Sequence, residues 1–249
     1  MKITSGLLIK AIGVYSFCVI GFISFAILAS EDATVHEKAT IKMALGLILF
    51  WIVIAGTLMY RYREAIATLV GSVPGNWKLK FVLFATGLAL LEEAVTVTMT
   101  NMAPVFGSEI GSSFITASAN YLHTVLFHSV IVFIPMFIAW AFLLARYDFE
   151  AKAVFLLFGL TGSLAEMTMQ ATNILGGFWF FVYGLMVFLP ARSIPSAEER
   201  GARKPKWWHH VVAVIVPLVS PIMLLPVAPL LSYLYDVMDP VFFVESPFA

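Results

Sequence analysis

The sequence predicts an all-α integral membrane protein: a seven-helix transmembrane bundle with its N-terminus cytoplasmic, its C-terminus outside and its last helix broken by prolines. Three observations carry that expectation. The 249 residues are 61% hydrophobic and only 12% charged, with a mean hydropathy of +0.93, which soluble domains of this size do not approach. Seven apolar stretches recur along the chain, each near the roughly 20 residues a helix needs to cross a hydrocarbon core. Lys and Arg collect in alternate connections, as they do in short cytoplasmic loops.

The stretches lie at about 6–29, 41–60, 80–100, 120–145, 153–173, 175–190 and 211–235. No long polar insertion separates them, so residues 1–249 are expected to form a single transmembrane domain. Met1 and Lys2 before an apolar run also resemble a secretory signal. The run from Gly6 to Ser30 is of full spanning length, however, and Ile27 and Leu28 stand where a cleavage site needs small residues, so it reads as a retained first helix.

Lys2, Arg61, Arg63, Lys78, Lys80, Arg146, Lys152, Arg192, Arg200, Arg203, Lys204 and Lys206 fall on one side of the alternation. Glu31, Asp32, Glu37, Glu109, Asp236, Asp239 and Glu245 fall on the other, with His36 and Lys38. The orientation follows, and the expected location is the cytoplasmic membrane of a prokaryote. Residues 191–208 form a basic cytoplasmic loop, which with Trp207 and Trp208 suits anionic headgroups. His209 and His210 are adjacent and face different ways on a helix, which favours surface anchoring over a shared metal. Fifteen basic residues balance fifteen acidic ones, so no basic face points to nucleic acid. Cys18 is the single cysteine and excludes an intrachain disulfide.

Small residues at four-residue spacing, Ala85 with Ala89 and Gly159 with Ser163, would let the third and fifth helices pack closely. The third loop, Met102 to Ala119, carries Glu109 as its one charge and is expected to be an ordinary outer loop rather than a re-entrant lid. Pro135 is expected to bend the fourth helix, and Pro217, Pro221, Pro226 and Pro229 to kink or break the seventh.

Candidate function comes from ionisable residues inside the apolar stretches. A charge at mid-membrane costs roughly 2.5–3.5 kcal/mol on insertion scales and is kept where the protein interior or a watery cavity receives it. At 1.5 Å rise per residue, Glu92 and Glu93 lie roughly 17–18 Å from the inner edge of a core about 30 Å thick, His128 about 18 Å and Glu166 near 20 Å. Each has neighbours on its own helix face: Thr96 and Thr100 follow Glu92, Asn120 and Thr124 precede His128, and Gln170 and Asn173 follow Glu166. His123 lies off the His128 stripe, nearer the surface, where it could guard a mouth.

Glu and neutral His are ligands for zinc, and this oxygen and nitrogen set leaves iron, manganese and magnesium open. Glu92, His128 and Glu166 are the candidate metal ligands, and those three with Glu93 the candidate catalytic residues. Without a metal, a buried Glu would act as general base with His128 as its partner. Alternatively, the same residues only hold helices together. HExxH, GxSxG, the phosphate-binding Walker loop and the dinucleotide fingerprint are all absent from the sequence. No lysine in the seventh stretch could carry retinal.

The order of Glu92-Glu93, then Phe127-His128, then a polar fifth helix is similar to the CPBP intramembrane proteases, which have a paired-Glu helix followed by histidine helices. Val97 stands where that family has Arg, its second motif places Phe three residues further ahead of the His, and its third His would fall near Glu166. The resemblance covers the middle third of the chain and implies a related chemistry, intramembrane hydrolysis.

The leading expectation is therefore a membrane hydrolase acting on a lipid or a membrane peptide, with the bilayer itself as partner. Its alternatives are a cation- or proton-coupled carrier and a non-catalytic subunit of a membrane complex.

Overall fold

The computed structural model describes residues 4–169 and 175–242. Among the described residues all regular structure is helical, apart from an isolated bridge between Tyr147 and Arg203. Helix α1, Ser5–Ala29, starts at the Thr4 cap and turns exposed Phe17, Phe22 and Phe25 outward. Among the described residues four helices are long and apolar enough to cross a membrane, namely Ser5–Ala29, Val35–Arg61, Trp77–Asn101 and Trp207–Val237, and a bent pair makes up to five. The chain is thus a polytopic helical protein built from apolar helices of membrane-spanning length.

The second span starts six residues before its expected position. A capping box explains the difference: Thr34 Oγ1 accepts from the Glu37 N–H at 3.2 Å, and Glu37 Oε2 accepts from the Thr34 N–H at 2.8 Å. Helix α2, Val35–Leu47, runs into a π-helical segment, Ile48–Ala55, and then α3, Gly56–Arg61. The π segment turns Trp51 fully inward, where its Nε1 donates to the Val182 carbonyl at 3.0 Å.

A short helix, α4, Arg63–Ser72, forms where only a loop was expected. Lys80 Nζ donates to the Val70 and Val73 carbonyls at 3.1 and 2.8 Å, a cation placed at the negative end of that helix. Helix α5, Trp77–Asn101, is the central span and buries Phe81, Ala85, Leu88 and Ala89.

The fourth stretch is two helices, α6, Tyr121–Phe127, and α7, Val130–Arg146, bent by 44°. The bend falls at His128–Ser129 rather than at Pro135, which is buried inside a continuous α7. The N–H groups of both His128 and Ser129 donate to the Thr124 carbonyl, so the winding ends there and restarts.

Helices α8, Ala151–Met169, and α9, Trp179–Arg192, make the most extensive contact of any helix pair among the described residues. Glycines permit it: a Cβ on Gly159 would lie 2.5 Å from the Phe180 carbonyl oxygen, and one on Gly184 would lie 2.7 Å from the Phe155 ring. Gly159 therefore serves contact with α9, not with the third predicted helix, while Ala85 and Ala89 of α5 face the core shared with α7 and α9.

The basic loop includes α10, Ala197–Arg200, and is strapped to the end of α7. Asp148 N–H donates to the Arg203 carbonyl at 2.8 Å and Arg203 N–H to the Arg146 carbonyl at 2.9 Å. Helix α11, Trp207–Val219, leads into a 3-10 segment, Ser220–Val227, and α12, Ala228–Phe242. Pro221 and Pro226 fall in the 3-10 segment, while Pro217 lies inside α11 and Pro229 in the first turn of α12. Lys2, Gln170, Asn173 and Glu245 lie outside the described residues, as does the side chain of Asp239.

Candidate functional site

Glu92 and Glu93 occupy successive positions on α5 and both are buried, at 4% and 6% exposure. Adjacent helical residues project about 100° apart, and the two carboxylates accordingly meet different partners. Thr96 lies one turn on and donates to Glu92 Oε1 at 2.8 Å as well as to the Glu92 carbonyl at 3.0 Å. Glu93 Oε2 accepts from Thr116 Oγ1 at 3.4 Å, and the Ser129 hydroxyl is within hydrogen-bonding reach of the same carboxylate.

Glu166 approaches from α8, and both α5 carboxylates lie within range of its charge. It accepts a hydrogen bond from the Tyr183 hydroxyl of α9. Tyr183 is itself buried and feels all three carboxylates. Three helices thus bring three carboxylates and a phenol into one apolar interior, with threonine hydroxyls at its edge.

The loop after α5 belongs to this site. Its Thr116 reaches inward to Glu93, and its backbone is held by Thr100, whose Oγ1 accepts from the Ile115 N–H at 3.5 Å. Asn101 Nδ2 donates to the Ala119 carbonyl at 2.8 Å. On the far side, Ser108 and Ser113 share a 2.8 Å hydrogen bond, Ser108 pairs with His36 Nδ1 at 2.8 Å, and Ser113 donates to the His36 carbonyl at 3.2 Å. Ser108, Ser113 and Ser118 are all buried. The expectation of an ordinary outer loop is corrected: the segment folds back and closes one side of the carboxylate cluster.

The histidines exchange their expected places. His123 is buried, at 3% exposure, and His128 is exposed. The break after Phe127 resets the rotation of the chain, so the four-residue stripe Asn120, Thr124, His128 does not continue across it. Asn120 instead caps α6, its Oδ1 accepting from the His123 N–H at 3.1 Å, and Thr124 donates to the Ser118 carbonyl at 3.1 Å. The His123 ring packs against Phe127, His128 and Tyr235 at 5.6, 4.8 and 5.1 Å. Among the described residues no group of three or more His, Cys, Asp or Glu side chains is placed to hold a metal ion.

The sequence reading missed Thr116, Tyr183 and Ser129. Tyr183 carried a signal, a phenol inside an apolar stretch seventeen residues after Glu166. Thr116 and Ser129 carried none, since each depends on how a break or a loop redirects the chain. No protein-family model, no curated protein and no solved structure matches this chain.

Proposed function

We propose that this protein is a membrane carrier that exchanges protons against a hard cation, with Glu92, Glu93 and Glu166 as the exchange site. The observation that carries the reading is that buried Glu92 and Glu93 of α5 and half-buried Glu166 of α8 lie within range of one another's charge, with hydroxyls as their hydrogen-bond partners. Carboxylates that share an apolar site hold protons between them rather than individually, so a cation entering the cluster releases a proton and a proton returning releases the cation. The three side chains are not placed to hold an ion together in this conformation, so a cation would have to draw them in around it; their oxygens suit a hard ion. Such sites near a bilayer midplane are typical of carriers.

The reading places the chain in the cytoplasmic membrane with seven crossings, the N-terminus inside and the C-terminus outside. Arg63, Lys152 and Arg192 line one hollow together with Glu64 and Glu150, an excess of positive charge that supports placing this end on the cytoplasmic side. The proline-rich last stretch, with its 3-10 segment, supplies the irregular helix that carriers use.

A second reading is a hydrolase of lipid or membrane peptide, and the Tyr183–Glu166 pair favours it. In that case Glu166 is an oriented acid or base, and one of the α5 carboxylates activates water or helps hold a divalent ion. The experiment that separates the two is flux in proteoliposomes. Sodium, potassium or calcium would be applied against a proton gradient read by an enclosed pH dye. The carrier reading expects cation-dependent alkalinisation or acidification, abolished in Glu92→Gln and Glu166→Gln variants that keep the wild-type melting temperature. Flux equal in wild type and variants would overturn it.

A further inference from the structure

Away from the carboxylates, an apolar groove of about 430 Å³ lies between α1, the π segment and the α8–α9 pair. Ile9, Ile52, Phe155, Phe181 and Leu185 form its apolar walls, and Lys10, Lys152, Thr57 and Tyr60 are its polar lining. Beyond them a second hollow of about 440 Å³ continues the track past Tyr60 and Lys152 to Arg63, Glu64, Glu150 and Arg192. The walls from Phe181 to Phe188 follow two turns of α9, or about 10 Å.

The charges of this end are unevenly matched. Arg63 and Arg192 share one carboxylate, Glu64, at 3.3 and 2.6 Å. Among the described residues Lys10 and Lys152 make no ion pair. The Lys152 ammonium lies against α1 at Gly6, where a Cβ would stand 3.8 Å from Nζ. Two lysines without an ion pair therefore line a groove whose other walls are mostly aliphatic and aromatic.

We propose that this groove is a binding site for an anionic phospholipid, with one acyl chain along the walls and the phosphate between Lys10 and Lys152. A chain already in the bilayer gains no hydrophobic energy on entering, because lipid tails are as apolar as the walls. Selection must come from the headgroup, and lysine ammonium groups on long apolar stems suit a phosphate at the interface. A zwitterionic lipid brings its own cation to the same place and is disfavoured. The site is separate from the carboxylate cluster and does not depend on the function assigned to it.

Native mass spectrometry of delipidated protein in detergent tests this, with dioleoyl phosphatidylglycerol and dioleoyl phosphatidylcholine titrated separately. Wild type is expected to hold one phosphatidylglycerol at least tenfold more tightly than phosphatidylcholine. Lys10→Gln and Lys152→Gln should each weaken that lipid roughly fivefold, the factor that ~1 kcal/mol per basic residue corresponds to, and together about 25-fold. The lipid-free melting temperature and phosphatidylcholine binding should stay at their wild-type values. Equal affinity for the two lipids, or phosphatidylglycerol binding unchanged in the double variant, would overturn the proposal. So would a melting shift from inorganic phosphate as large as that from phosphatidylglycerol, since the groove would then contribute nothing.

Discussion

Gly162 of α8 lies directly beneath the ring of Tyr183, so that a Cβ on it would overlap the ring carbons and stand 2.8 Å from the tyrosine Cβ. The hydrogen bond from Tyr183 to Glu166 depends on that close approach.

Gly162→Ala is therefore expected to push the ring away and cost about 1–3 kcal/mol, the usual penalty for overfilling a packed interior. Thermal unfolding in detergent measures the loss. Tyr183→Phe provides the contrast, since it keeps the ring and removes only the donor. It should cost about 1 kcal/mol, the usual worth of one hydrogen bond at a half-buried group, and it should reduce flux. A Tyr183→Phe protein as stable and as active as wild type would show the pair to be incidental.

Thr96→Val tests the other carboxylate. Valine keeps the shape of threonine and removes the hydroxyl that Glu92 accepts from, so the expected cost is about 1.5–3 kcal/mol for a hydrogen bond to a charged group. If Glu92 is protonated in the resting protein, the cost should fall toward ~1 kcal/mol. The same melting measurement separates the two values.

Metal content decides between the carrier and a metal-assisted hydrolase. Protein purified without chelator is expected to carry less than one tenth of an equivalent of zinc, iron or manganese by mass spectrometry. About one equivalent, lost in Glu92→Gln and Glu166→Gln but retained in His128→Ala, would favour the hydrolase instead.

Arg200 anchors the basic loop. Its side chain is 3% exposed, Nε donates to the Pro195 carbonyl at 2.9 Å, Nη2 pairs with Asp148 at 3.3 Å, and Nη1 donates to the Leu144 carbonyl at the negative end of α7. Burial lowers its pKa from the ordinary arginine value, with the Asp148 carboxylate acting in the opposite direction. Arg200→Ala is expected to cost about 2–4 kcal/mol and to open residues 193–206 to trypsin, whereas Asp148→Asn, on the half-exposed side of the pair, should cost about 1 kcal/mol or less. Timed proteolysis followed by gel analysis reads both.

How far the sequence reached is visible in these residues. Glu92, Glu93 and Glu166 stood out because an ionisable group in an apolar run is costly wherever the chain goes, and no tertiary detail is needed to notice it. Ser5–Ala29 and Trp77–Asn101 were legible for the same kind of reason, since long apolar runs with a capping residue have one reading. His128 was misplaced because a face assignment by periodicity assumes unbroken winding. The break at His128–Ser129 has no Gly or Pro to announce it. The inward fold of the Ser-rich loop was also hidden, because Ser108 and Ser113 look like surface residues until His36 from another helix supplies their partner.

The two residues between α6 and α7 make α6 a lever. Seven residues long, it extends about 10 Å, and its first residue, Tyr121, donates to the Leu90 carbonyl of α5 at 3.0 Å where the helix joins the loop that carries Thr116. Ser129 sits at the pivot and touches both the Thr124 carbonyl and the Glu93 carboxylate. A change in the charge on Glu93 is thus felt at both ends of the lever at once, through Ser129 at the fulcrum and through Thr116 beyond its tip. The turn between α6 and α7 and the loop that precedes α6 therefore share one anchor on α5, the Glu93 carboxylate.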